Sequence, residues 1–124
     1  MQDLAGKVAV VTGGGGGIGR ALGERFLAEG MRVVLADVQP EPLAATVGDL
    51  RAAGGEVTGV VTDVTSRESV EALRDATLAA YGALHVVCNN AGIGAGAEGP
   101  LWEHEQSDWG WALAVNLWGV IHGI

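Results

Sequence analysis

The stretch KVAVVTGGGGGIGR, residues 7–20, decides the fold because it joins an apolar β-branched run to five glycines and then to an amphipathic segment. Its first six residues are typical of a buried strand. Ile18, Leu22 and Phe26 then recur at helical spacing. Glycine runs are common in flexible linkers, but a linker rarely separates a first strand from its crossover helix. The stretch therefore predicts a tight turn whose backbone approaches a ligand closely.

The alternation of strand and helix continues along the whole chain. The patterns predict strands over 7–12, 32–37, 57–63 and 84–89, and helices from Gly17 to about Gly30, from Pro40 to Gly54, from Thr65 to about Gly82, and from about Ser107 onward. Near-continuous apolar strands with helical crossovers are typical of a parallel sheet covered on both faces. We predict an α/β fold, a doubly wound parallel sheet of the Rossmann type, in one domain over residues 1–124.

Charge and cysteine content exclude several classes of protein. Seven basic against fifteen acidic residues give a net charge of −8, whereas nucleic acids and anionic membranes need clustered Lys and Arg. Cys88 is the one cysteine, which excludes an intrachain disulfide and fits a reducing compartment. The apolar segment 109–124 is shorter than the ~20 residues of a membrane span, and we see no signal peptide. We expect a cytoplasmic protein with no nucleic-acid or membrane partner.

Spacing excludes two kinds of ligand site. The glycines are not followed by the G-K-[ST] of the loop that binds nucleoside triphosphates. His85, His104 and His122 share no metal-ligand spacing, so we expect no metal site.

The glycine run has the position of a dinucleotide phosphate site. In doubly wound sheets, ligands bind beyond the carboxyl ends of the strands, and the first turn and helix N-terminus hold a pyrophosphate. Gly14, Gly16 and Gly19 match the pattern G-x-G-x-x-G. Residues 12–19, read as T-G-x-x-x-G-I-G, are a second register that matches as well. The sequence leaves both registers open.

Two strand-end acids indicate the rest of a dinucleotide. Asp37 ends the second predicted strand, near the ~20-residue spacing of an acid that binds a ribose diol. Its charge would repel a 2′-phosphate, and no Arg stands at 38 or 39, which favours NAD over NADP. Asp63, next to Val64, ends the third predicted strand, where it could reach an adenine edge. Each acid has an alternative role as a helix cap.

Four motifs in this order resemble those of the short-chain dehydrogenases/reductases. They are TGGGGGIG at 12–19, Asp63-Val64, NNAG at 89–92 and VNLWG at 115–119. Together they cover essentially the whole chain. Three central glycines, Gly14 to Gly16, exceed what the family spacing requires, so we expect a loop that is mobile until NAD binds.

The resemblance implies a role for each matched residue. In the family, the glycine loop carries the pyrophosphate, the strand-end acids hold ribose and adenine, and the NNAG motif forms a wall beside the ribose and braces the sheet. The implied cofactor-binding residues are Gly13, Gly15, Gly16, Gly17, Ile18, Gly19, Asp37, Asp63, Val64, Asn90, Ala91 and Gly92. Relatives that prefer NADP often carry a basic residue at the position of Gly16, which again favours NAD.

Asn116 is the one catalytic residue that the resemblance implies. In the family, the asparagine at this position distorts its helix and helps to hold a water in the proton relay. The alternative is an asparagine that bonds a neighbouring backbone group.

The reaction implied by the resemblance is hydride transfer between nicotinamide and an alcohol or ketone. The family uses a Ser and a Tyr-x-x-x-Lys, because a tyrosine near pKa 10 is a poor base at neutral pH without a nearby cation. Here Tyr81 is the only tyrosine, His85 stands at the lysine position and Lys7 lies far upstream. We therefore expect the N-terminal part of the family fold, truncated after the fourth β-α unit and inactive alone.

Other functions remain open. The chain could be a non-catalytic dinucleotide-binding or subunit-association module, whereas the NNAG motif argues against a Rossmann-like methyltransferase. Trp111, Val115 and Trp118 have the spacing of one apolar helix face. In the family this helix often packs against a second subunit, which implies a homo-oligomer. The alternative is a face belonging to the intramolecular core.

Overall fold

The computed structural model describes residues 3–94 and 99–124 and confirms the alternation of strands and helices. The elements are β1 (Val8–Thr12), α1 (Gly17–Ala28), β2 (Arg32–Asp37), α2 (Pro40–Ala52), β3 (Val57–Val61), α3 (Arg67–Tyr81), β4 (Val86–Cys88), a 3₁₀ turn (Leu101–Glu103), α4 (Gln106–Leu113), a π-helical turn (Ala114–Trp118) and α5 (Gly119–His122). The segment between β4 and the 3₁₀ turn lies partly outside the described residues.

The four strands form one parallel sheet in the order β3-β2-β1-β4. Val11 and Leu35 pack against α1 and α2, and neighbouring side chains such as Val10 and Val34 pack against Leu73 of α3. Every residue of β1 is buried, because alternate side chains enter the two helical layers. The predicted doubly wound sheet is confirmed.

Two strands are shorter than predicted by more than one residue. β3 ends at Val61 rather than Asp63, because the Asp63 carboxylate accepts hydrogen bonds from the Thr65 N–H at 2.9 Å and the Thr65 hydroxyl at 2.7 Å, which turn the chain. β4 covers Val86–Cys88 rather than 84–89, and in the described chain it pairs with β1 alone.

The helix α3 also begins later than the predicted start at Thr65. Ser66, not Thr65, is the N-cap, and its hydroxyl accepts a bond from the Ser69 N–H at 3.2 Å. Gly82 closes the helix at φ 72°, as the C-terminal glycine predicts.

The C-terminal segment is not one regular helix. A π-helical turn around Asn116 adds a residue to the helical turn and rotates the residues on its C-terminal side. Trp111 and Val115 therefore line one cleft, whereas Trp118 lines a second groove of about 690 Å³ on the α3 side of the sheet. The prediction that these three residues share one face is wrong. Within the described residues, no helix is both long and apolar enough to cross a bilayer.

Candidate functional site

A cleft of about 770 Å³ lies at the carboxyl ends of the strands. Parallel strands bring these ends to one edge of the sheet, which is the ligand-binding edge of doubly wound folds. All the predicted cofactor-binding residues except Gly17 line this cleft, together with Val38, Gln39, Pro42, Thr62, Thr65, Ile93, Trp111 and Val115. Gly17 is the first residue of α1, beside the cleft.

Backbone geometry decides between the two registers of the glycine run. Gly13 has φ 67° and Gly17 has φ 53°, values that favour glycine. A Cβ on Gly19 would lie 2.0 Å from the Gly13 carbonyl oxygen, so only glycine fits where the helix meets the turn. These three positions are the glycines of T-G-x-x-x-G-I-G, and the geometry favours that register.

The first half of the glycine loop is fastened to its surroundings. The Gly14 N–H donates to the Ala36 carbonyl oxygen at 2.9 Å, and the Gly15 N–H donates to Asp37 Oδ2 at 2.9 Å. The Gly15 carbonyl accepts a bond from the Thr46 hydroxyl at 2.8 Å. These bonds involve Gly14 and Gly15, whereas Gly16 to Ile18 are exposed. The mobility of the loop before NAD binds stays a prediction.

Gly16 is the exception within the loop. Its φ of −174° is extended backbone that any residue adopts, and the described chain places nothing within 4 Å of a Cβ at this position. A Cβ on Gly15, by contrast, would lie 2.9 Å from Asp37 Oδ2. A side chain at position 15 would therefore collide with Asp37, whereas a side chain at position 16 would meet open space.

The N-terminus of α1 meets the cleft as a bare positive helix end. Within the described chain, the N-cap Gly16 offers no side chain, and the first turn of α1 contains no acidic residue. The helices α2, α3 and α4 each have an acidic residue in the first turn: Glu41, Glu68 and Asp108. Free backbone N–H groups and the helix dipole at such an end favour an anion.

Thr12 and Asn90 join the ends of β1 and β4. The Thr12 hydroxyl donates to the Cys88 carbonyl at 3.3 Å and accepts from the N–H groups of Asn90 and Ala91 at 3.0 and 3.1 Å. The Asn90 side-chain amide donates to the Thr12 carbonyl at 2.9 Å. These bonds hold the NNAG segment against the glycine loop, where a Cβ on Gly13 would lie 2.9 Å from the Ala91 Cα.

The two strand-end acids have different surroundings. Asp37 Oδ2 accepts the loop bond from Gly15, and Oδ1 accepts a bond from the Gln39 N–H at 3.0 Å. Asp63 is exposed and bonds Thr65. Among the described lining residues, these two carboxylates are the charged groups, and no Lys or Arg faces them.

Asn116 bonds the backbone just beyond the NNAG segment. Its Oδ1 accepts from the Ile93 N–H at 2.9 Å, and its Nδ2 donates to the Ile93 carbonyl at 2.8 Å. This geometry matches the backbone-bonding alternative, and the π-helical turn around Asn116 matches the expected helix distortion. Both polar atoms of the Asn116 side chain thus bond the Ile93 backbone, and the catalytic role of Asn116 stays a prediction.

Comparison with known proteins gives the family. A family model described as short chain dehydrogenase matches residues 7–124. The chain belongs to the short-chain dehydrogenase/reductase family. A 1-deoxy-11-beta-hydroxypentalenate dehydrogenase of Streptomyces avermitilis is 40% identical over 98% of this chain and 45% of its own length.

Solved structures of the short-chain dehydrogenase/reductase family agree with the fold. One from Burkholderia phymatum, in complex with NAD, is 54% identical with a TM-score of 0.94 over 99% of this chain and 43% of its own. One from Mycobacterium smegmatis is 39% identical with a TM-score of 0.91 over 97% of this chain and 50% of its own. The chain spans half or less of the length of these relatives.

Sequence patterns miss several residues that line or brace the cleft. Thr46, which bonds the loop, comes from the middle of α2 and has no motif around it. Thr12 stands out only as part of a motif, although its position at a strand end next to glycine suggests a bracing role. The sequence assigns Trp111 to an apolar face, because the π-helical turn that separates it from Trp118 leaves no sequence signal.

Proposed function

We propose that this chain is the NAD-binding half of a short-chain dehydrogenase/reductase that transfers hydride between nicotinamide and an alcohol or carbonyl substrate. The observation that carries the proposal is the uncapped N-terminus of α1, which opens on the cleft directly after the glycine loop. A pyrophosphate is the anion that this helix end and turn accommodate in doubly wound folds.

We assign the other parts of the dinucleotide to residues of the cleft, beginning at the glycine loop. The backbone from Gly13 to Gly19 holds the pyrophosphate, Asp37 binds the adenosine ribose hydroxyls, and Asp63 with Val64 flanks the adenine. Asn90, Ala91 and Gly92 form the wall beside the ribose. The hydrogen bonds of Thr12 and Asn90 support this arrangement, because they keep the wall at a constant distance from the loop.

NAD rather than NADP is the cofactor that we propose. The charged residues of the described lining are both acidic, and Asp37 is aimed at the loop by its bond to Gly15. A 2′-phosphate beside Asp37 would lose its hydration and meet a like charge with no cation to offset it. The NAD in the Burkholderia phymatum relative supports the same choice.

We propose that turnover needs residues supplied beyond this chain. The chain contains one tyrosine and one lysine, and Tyr81 lies at the end of α3, away from the cleft. Desolvation raises the pKa of Tyr81, the reverse of what a general base requires. Asn116 keeps its proposed catalytic role of holding a water in the proton relay of the longer enzyme.

Calorimetric titration of the purified chain with NAD and with NADP tests the proposal. We expect weak binding of NAD, weaker binding of NADP, and no NADH formation with alcohols. Leu78→Ala, at an exposed residue of α3 that does not line the cleft, is the control for Asp37→Ala. A folded sample that binds no NAD would contradict the cofactor assignment, and measurable NADH formation would contradict the need for a further segment.

A subunit-association role is the second candidate, because four apolar residues at four-residue spacing are exposed along the C-terminal helices. They are Trp109, Leu113, Leu117 and Ile121. We propose that a second copy of the chain covers this stripe. Sedimentation should then show an oligomer that Leu117→Glu dissociates and Val61→Glu leaves intact. A monomer in all three samples would contradict this role, and a cytoplasmic location remains a prediction.

A further inference from the structure

Thr46 makes a hydrogen bond that its helix does not need. Thr46 is 2% exposed within α2, and its hydroxyl donates to the Gly15 carbonyl oxygen at 2.8 Å. A buried threonine in a helix commonly gives its hydroxyl to the carbonyl four residues earlier. Here the hydroxyl leaves its own helix and reaches the cofactor loop.

Thr77 provides the comparison within the same molecule. It is also fully buried in a helix, α3, but its hydroxyl donates to the Leu73 carbonyl at 2.8 Å, four residues earlier. The two threonines share residue type, burial and helical setting. They differ in the acceptor of the hydroxyl, so Thr77 is a matched control for Thr46.

The Gly15 peptide units connect Thr46 to Asp37. The Gly15 carbonyl accepts the Thr46 bond, and the Gly15 N–H donates to Asp37 Oδ2 at 2.9 Å. The other carboxylate oxygen accepts from the Gln39 N–H, at the N-cap of α2. The helix α2 therefore holds the Asp37 carboxylate directly at its start and indirectly through Thr46 and the loop.

We propose that Thr46 is a positioning residue for dinucleotide selectivity, acting through the Gly15 backbone on the Asp37 carboxylate. This inference rests on the proposed function, in which Asp37 binds the adenosine ribose and repels a 2′-phosphate. The hydroxyl of Thr46 fixes the orientation of the loop backbone at Gly15. That orientation keeps the carboxylate turned toward the loop, where the ribose binds.

Replacing Thr46 by valine removes the donor while nearly preserving the shape of the side chain. The Gly15 carbonyl then lies buried without its partner, and the loop backbone gains from turning toward solvent. The Gly15 N–H donates to Asp37, so this movement of the backbone also removes a constraint on the position of the carboxylate. Thr46→Ser keeps the hydroxyl and should restore the wild-type behaviour.

Amide hydrogen exchange in the cofactor-free chain tests the coupling itself. We expect the Gly15 N–H to exchange about tenfold faster in Thr46→Val than in the wild type, because its bond to Asp37 weakens. Thr46→Ser should retain the slow rate, and Thr77→Val should leave Gly15 unchanged. Equal Gly15 protection in Thr46→Val and Thr77→Val would overturn the inference, whatever the cofactor.

Affinities for NAD and NADP test the consequence for selectivity. We expect Thr46→Val to narrow the ratio of NAD to NADP affinity by about three- to tenfold, with rescue by Thr46→Ser and no change in Thr77→Val. Thr46→Ala provides the same test if the valine variant does not fold. A preference for NAD that persists unchanged in Thr46→Val overturns this inference alone. A wild-type chain that binds neither dinucleotide overturns the proposed function and the inference with it.

Discussion

The region from β1 to β2 and the region from β4 to α5 differ in how completely their side chains are buried and their polar groups are hydrogen-bonded. In the region from β1 to β2, every residue of β1 is buried and the glycine loop is bonded to β2, α2 and Asn90. In the region from β4 to α5, the strand has three residues, Val87 is 40% exposed, and an apolar stripe faces outward.

Burial and hydrogen bonding are therefore concentrated in the region that forms the glycine-loop side of the cleft. In the first region, contacts shape the cofactor loop and the core at once, so a substitution there should change folding and ligand binding together. In the second region, the exposed apolar surface offers contacts to a neighbour. Substitutions there should change association and leave dinucleotide affinity nearly unchanged.

The largest effect should come from Gly19→Ala. Its Cβ would meet the Gly13 carbonyl oxygen at 2.0 Å and the side-chain amide of Asn90 at 2.8 Å, and the backbone cannot yield there without opening the turn. We expect a loss of about 3 kcal/mol of unfolding free energy and no detectable NAD binding. Gly16→Ala, where the described residues leave open space, should match the wild type. Similar NAD affinity in Gly19→Ala and Gly16→Ala would contradict the expected difference between the two glycines.

The next effect should come from Thr12→Val, which leaves the N–H groups of Asn90 and Ala91 without the hydroxyl that they share. Urea unfolding of Thr12→Val should show a free energy of unfolding about 1–3 kcal/mol below that of the wild type. Thr12→Ser should recover most of this difference. The exposed Thr65 donates its hydroxyl to the Asp63 carboxylate, and Thr65→Val should cost at most about 0.5 kcal/mol of unfolding free energy. Equal losses at the two sites would contradict the account of the first region.

Local patterns predict the first region well. The apolar run of β1, the proline start of α2 and the glycines that end α1 and α3 act through neighbouring residues, so the sequence displays them. Asp37 can be found because its spacing from the loop is typical of one fold.

Long-range contacts explain what the sequence could not predict. Thr46 bonds a residue 31 positions away, and Thr12 bonds one 78 positions away, so no local pattern marks either side chain. The π-helical turn at Ala114–Trp118 leaves no signal in the helical period, and Asn116 within it bonds Ile93, 23 positions away. The helical period of the sequence therefore places Trp118 on the wrong face.

A smaller effect should result from Gly16→Arg, which sharpens the origin of the NAD preference. The described chain leaves room at Gly16, which lines the same cleft as Asp37, so a guanidinium there could pair with a 2′-phosphate. We expect NADP affinity to rise by about tenfold, while NAD affinity changes little. Gly16→Gln is the control of similar length without charge. A rise of NADP affinity in the glutamine variant as well would show that charge is not the cause.

The smallest effect concerns pH and the second region. Burial raises the pKa of the Cys88 thiol above its ordinary value of 9.0. The folded chain therefore holds this proton more tightly than the unfolded chain, and the resulting stability is complete below about pH 9 and is lost as pH rises through the folded pKa. Urea unfolding should show that the free energy of unfolding falls more steeply with pH above pH 9 in the wild type than in Cys88→Ser. The pKa of Tyr81 is also raised, chiefly by desolvation, but Tyr81 is common to both proteins. Identical pH dependences of the unfolding free energy in the two proteins would contradict a raised pKa of Cys88 in the folded chain.

Amide chemical-shift mapping during titration with NAD tests the central claim most directly, because it reports both regions in one experiment. We predict that the N–H resonances of Gly16 to Gly19 and of Val64 move as NAD is added, while those of Ile121 to Ile124 at the second groove stay in place. Shifts confined to the second groove, or no shifts in a folded sample, would contradict a dinucleotide site built from the glycine loop and Asp37.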